Sequence, residues 1–116
     1  MQESIDKTQE LAEEVDVLTT KYDELSKSAG NTTDVLTEME EKIPELIKQY
    51  RELAKSMSNA DGDEINRMAD DLEHLYNVAQ VTGDYTAFNE KKQEMDELIN
   101  AKEYQNAIVG GQAYGK

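Results

Sequence analysis

Residues 8–29 read TQELAEEVDVLTTKYDELSKSA, and the spacing of their apolar members decides the fold. Thr8, Leu11, Val15, Leu18, Tyr22, Leu25 and Ala29 recur at intervals of 3, 4, 3, 4, 3 and 4. A helix turns once every ~3.6 residues, so this spacing lines one face with apolar groups over three heptads. Glu, Asp and Lys fill the positions between them, as solvent-facing sites require. Lys27 sits where a cation favours the helix dipole, and Gly30 is placed to cap the helix.

The same pattern resumes downstream. Asn31-Thr32-Thr33 makes a short connection, with Thr33 as the expected N-cap of a second helix. In that helix Leu36, Met39, Ile43, Leu46, Tyr50, Leu53 and Met57 keep the 3/4 spacing, and Ile47 widens the stripe. Pro44 lacks an N–H and crowds the preceding turn. The apolar phase is nevertheless continuous across it, which points to a kink; a fresh helix starting at Pro44 is the alternative. So short a connection predicts an antiparallel hairpin over residues 3–58, each arm ~40 Å long.

A second hairpin is expected over residues 61–109. The turn Ser58-Asn59-Ala60-Asp61-Gly62-Asp63 precedes it, and Asp61 followed by Glu64 fits an acidic capping box. Its first helix carries Ile65, Met68, Leu72, Leu75, Tyr76 and Ala79 and stops near Gly83. Asp84 or Thr86 caps the next, whose stripe is Phe88, Met95, Leu98, Ile99 and Val109, diluted by Lys91, Lys92 and Lys102. Residues 110–116 are expected to form a flexible tail. The fold class is therefore all-α: helical hairpins forming a coiled-coil-like bundle of about four helices.

Composition narrows the function classes. The 116 residues include 26 acidic and 12 basic side chains, for a formal charge of -14, with no Cys, no Trp and one Phe. The excess of acidic groups is spread along the chain and no long segment is net basic, so neither nucleic acid nor an anionic membrane surface is expected to find a complementary face. No stretch approaches the ~20 apolar residues of a membrane span, and the N-terminus lacks the features of a signal peptide. A chain only 37% hydrophobic has material for narrow seams rather than a thick core, and partners in an oligomer could supply the rest.

Catalytic and ligand chemistry finds few candidates. His74 is the single histidine, too few for a di-iron bundle or a Cys/His zinc site, and a surface ion pair with Asp70 or a wet helix face is its simplest reading. Placing Gly62 at the sixth position of a calcium loop puts Met57 and Met68 where carboxylates are needed. Carboxylate pairs are abundant, but they fall on faces expected to be exposed. Met39, Met57, Met68 and Met95 lie within the stripes and are read as core. No enzyme, cofactor or metal is expected. The residues assigned a role are those of the packing seam: Leu11, Val15, Leu18, Tyr22 and Leu25 against Leu36, Met39, Ile43, Leu46, Tyr50 and Leu53.

Three stretches together resemble a known family: Lys21-Tyr22-Asp23-Glu24-Leu25, Thr32-Thr33, and Ile43-Pro44-Glu45-Leu46-Ile47 followed by Tyr50. They are similar to helical segments of tail tape measure proteins of tailed phages and prophages. The likeness covers roughly residues 11–57. It implies a structural role inside a tail tube, with self-association and contacts to tail tube and assembly proteins. It also implies a segment of a longer protein, located in the cytoplasm during assembly or in the virion tail. A competing likeness runs through Leu72, Leu75, Ala79, Gly83-Asp84-Tyr85 and Met95, which resemble one tetratricopeptide hairpin and imply a peptide-binding adaptor. Phe88 stands there where that family has Ala, and no second copy follows. The length and acidity also resemble small secreted helical-hairpin proteins, but without their Trp-x-Gly turn.

Overall fold

The computed structural model describes the backbone of residues 2–57 and 59–115, and the side chains of residues 5–57 and 62–101. The chain is all-α, with four helices: α1 (Gln2–Lys27), α2 (Thr33–Lys55), α3 (Asn59–Thr82) and α4 (Thr86–Gly115). α1 packs on α2, α2 on α3, α3 on α4, and α4 returns to α1. The short connections reverse direction each time, so the order is up-down-up-down and the helices close into one bundle measuring 59 × 21 × 19 Å.

The apolar stripes meet along the bundle axis. On α2, Val35, Met39, Ile43, Leu46, Ile47, Tyr50, Leu53 and Ala54 are buried. α1 contributes Ile5, Ala12, Val15 and Leu18, α3 contributes Ile65, Ala69, Leu72, Tyr76 and Ala79, and α4 contributes Phe88, Met95 and Ile99. Enclosing a large aliphatic or aromatic side chain contributes about 1.5–3 kcal/mol, so these stripes are the principal stabilising term.

The helix termini differ in detail from the sequence expectation. α1 ends in a Schellman arrangement: the Gly30 N–H donates to the Leu25 carbonyl at 2.7 Å, and the Ala29 N–H to that of Ser26 at 3.4 Å. The residue in the left-handed conformation is Ala29 (φ 57°), not Gly30. Thr33 is the first residue of α2 rather than its cap; the Asn31 side-chain oxygen accepts its N–H at 2.9 Å. α3 starts at Asn59, so Asp61 and Glu64 lie inside it rather than at its start. α4 begins at Thr86 with Tyr85 at the N-cap position, and Asp84, one residue earlier, accepts the Thr86 N–H through Oδ1 at 3.0 Å; hydrogen bonding to Thr86 holds its carboxyl below the usual range.

Pro44 lies inside an unbroken α2. Residues 110–115, expected as tail, continue α4 to Gly115. Glycine weakens a helix without forbidding it. The left-handed conformation that would mark a cap occurs, among the described glycines, at Gly83 (φ 78°). Lys116 lies outside the described residues.

Candidate functional site

The predicted seam residues fall into two tiers of burial. Val15, Leu18, Met39, Ile43, Leu46, Tyr50 and Leu53 are buried, whereas Leu11, Tyr22, Leu25 and Leu36 are half-buried against them. The buried line of α1 runs through Ile5, Thr8, Ala12, Val15, Leu18 and Thr19. Ala12 and Thr19 therefore occupy core positions that the heptad reading assigned to solvent. Packing against two neighbours, α2 and α4, requires a wider stripe than a single coiled-coil seam.

The polar centre of the bundle involves a residue that the sequence reading left outside. Lys92, taken as diluting the α4 stripe, is completely enclosed. Its Nζ donates to Asp16 Oδ1 at 2.7 Å and to Asp96 Oδ2 at 2.8 Å. The other Asp96 oxygen accepts the Tyr50 hydroxyl at 2.5 Å. The signal was present in the phase: Tyr85, Phe88, Lys92, Met95 and Ile99 are spaced 3, 4, 3 and 4. Residue type pointed to the surface and position to the core, and position prevailed.

This cluster is graded from dry to wet. Tyr50 and Lys92 are buried, the Asp96 side chain is 26% exposed and that of Asp16 is 60% exposed. Burial, then the adjacent Asp96 charge, pushes the Tyr50 hydroxyl far above its usual range, so it stays protonated and donates. An enclosed ammonium without partners would cost several kcal/mol. Two carboxylates offset that cost here, one of them open to water. The arrangement ties α1, α2 and α4 together. Because α2 and α4 lie diagonally in the bundle, the Tyr50–Asp96 bond crosses its interior. In this conformation the Lys92 amine is sealed from solvent, so its chemistry is that of a fastener.

A second feature lies at the end holding the Gly83 turn. Tyr22, Tyr85, Phe88 and Tyr76 form a chain of tilted and edge-on rings with centroids 5.1, 6.4 and 6.2 Å apart. Burial, then the neighbouring Tyr76 and Tyr22, pushes the Tyr85 hydroxyl up to about 12. Beside these rings a cleft of about 410 Å³ opens between α1 and α4, lined in part by Thr19, Asp23, Asp84 and Asn89. Asn89 Oδ1 is buried without a hydrogen-bond partner. A second cleft of about 290 Å³ lies farther along the same seam, between Gln9, Glu13, Asp16, Asp96 and Asn100.

On the surface, Arg51 forks to Asp70 (2.6 Å) and Glu73 (2.8 Å) across α2–α3, and Lys42 reaches Glu14 at 3.5 Å across α1–α2. Asp70 thus pairs with Arg51, while His74 is exposed. Among the described residues, no group of three or more His, Asp or Glu is placed to hold a metal ion, and no helix is long and apolar enough to cross a membrane. Comparison of the chain with protein-family models, curated proteins and solved structures yields no match.

Proposed function

We propose that this chain is a structural helix-packing unit that works by associating with copies of itself and with other assembly proteins. The resemblance over residues 11–57 suggests the setting, a segment of a tail tape measure protein of a tailed phage or prophage. The observation that carries the structural reading is the interior itself. The stripes of all four helices join in one apolar core, and its central charged residue is fully engaged in fastening helices together. Light scattering behind size exclusion, with small-angle X-ray scattering on the same peak, tests the self-association. A concentration-dependent elongated oligomer is the expected result. A monomer at every concentration, with no capture of tail tube subunits, would overturn the proposal.

A second reading, a protein-binding adaptor, draws support from the cleft beside the Gly83-Asp84-Tyr85 turn. Against it, Tyr85 and Phe88 are buried against Tyr22 and Tyr76 and so serve the bundle's own packing. A segment captured in this cleft should perturb Asp84 and Asn89 in NMR spectra while leaving the chain monomeric.

A further inference from the structure

The α2–α3 corner combines three features that a simple turn does not require. First, the packed faces of α2 and α3 overlap in helical phase across it. Ile43, Leu46, Tyr50, Leu53 and Met57 lead on to Ile65, Met68, Leu72, Tyr76 and Ala79. From Ile43 to Ala79 is 36 residues, about ten turns of helix. Reversing the chain does not need that continuity, whereas one long helix does. Residues 45–82 contain no proline to interrupt such a helix.

Second, the closed corner depends on a glycine. Gly62 is buried in the first turn of α3, and a Cβ there would lie 2.5 Å from the Ala54 carbonyl oxygen at the end of α2. Its φ is not in the left-handed region, so space rather than backbone conformation is what demands glycine.

Third, straightening the corner parts the α2–α3 and α1–α4 seams, and the second of these carries polar ties. α1 and α4 meet through Lys92–Asp16 and Gln9–Asn100, beside two open clefts.

We infer that the α2–α3 corner is a hinge at which two copies of this chain exchange hairpins. Residues 33–82 then run as one helix of about 75 Å. The α1–α2 hairpin of each copy packs on the α3–α4 hairpin of the other. The α2–α3 and α1–α4 contacts are re-formed between chains while the α1–α2 and α3–α4 contacts stay within each, so only the corner changes, as in domain swapping. This deepens the self-association proposed above and rests on it, naming the second copy as the partner and the corner as its control point.

The absence of cysteine allows a direct test in the full chain. Gln9 Nε2 donates to Asn100 Oδ1 across the α1–α4 seam, so Gln9→Cys/Asn100→Cys places two thiols at that contact. Oxidation links them within one chain in the closed bundle and between chains in the exchanged dimer. Gly62→Ala on this background blocks the closed corner and favours continuous helix. It is expected to tighten dimerisation by roughly tenfold or more. The dimer peak should run as a covalent dimer on a non-reducing gel. Ser56→Ala/Asn59→Ala raises helix propensity at the corner without a buried clash. It should shift the equilibrium in the same direction, and it carries the test if Gly62→Ala fails to fold. A dimer with only intrachain links would overturn hairpin exchange while leaving self-association through outer faces. A monomer in every variant would overturn both.

Discussion

α1 is held on two sides by seams of different character. Against α2 it is joined by a short connection, and buried side chains such as Val15, Leu18, Met39, Ile43 and Leu46 fill the interface. Against α4 it has no covalent neighbour, and its ties are Asp16 to Lys92, Gln9 to Asn100, and the edge contact of Tyr22 with Tyr85. Apolar stripes tolerate sliding by a turn, because one methyl-lined surface resembles the next. A buried ammonium that must meet two particular carboxylates does not. The difference teaches a division of labour in which the connected seam supplies stability and the closing seam supplies register.

The largest break in that comparison comes from the apolar side. Leu46 is 1% exposed, so Leu46→Asp buries an unpaired carboxylate and forfeits the packing. A loss of about 4 kcal/mol or more is expected, enough to abolish cooperative unfolding by circular dichroism. On the polar side, Asp96→Ala leaves the Tyr50 hydroxyl unpaired and Lys92 with Asp16 alone. It should cost about 2–4 kcal/mol in urea titration. Replacing the cluster as a whole, Tyr50→Phe/Lys92→Met/Asp96→Leu, leaves no buried charge or hydroxyl unpaired and should change stability by only about 1 kcal/mol. If the triple replacement proved as damaging as Asp96→Ala, the cluster would be a source of net stability rather than of register.

Much of this was legible in the sequence, and the gaps have physical causes. The 3/4 spacing in α1 and α2 revealed the hairpin because one strong periodicity reports one buried face. Lys92 was misread because its type says solvent while its phase with Phe88 and Met95 says core. Tyr50 was assigned to the seam, but its partner Asp96 lies 46 residues away, on a helix whose rotation only packing determines. The Ala29 cap was displaced by one residue because Gly30 is the better left-handed residue by type. The hydrogen bonds to Leu25 and Ser26 instead place that conformation at Ala29.

Two smaller effects sharpen the comparison. Tyr50 has a folded-state pKa raised above its ordinary value of 10.0, so its contribution is complete below pH 10 and declines above it as the unfolded chain ionises. The alkaline limb of stability should flatten in Tyr50→Phe, as read by thermal unfolding from pH 8 to about 11. Ala29→Gly relieves a left-handed alanine at the end of α1. It should raise stability by about 0.5–1 kcal/mol without altering the α1–α4 seam.

Native-state hydrogen exchange tests the division of labour most directly, because it assigns an opening free energy to each helix. The α4 amides around Lys92 and Asp96 should open at lower free energy than those of α2 around Ile43 and Leu46. Asp96→Ala should widen that gap while sparing α2 and α3. Equal protection in all four helices, lowered uniformly by Asp96→Ala, would contradict the account.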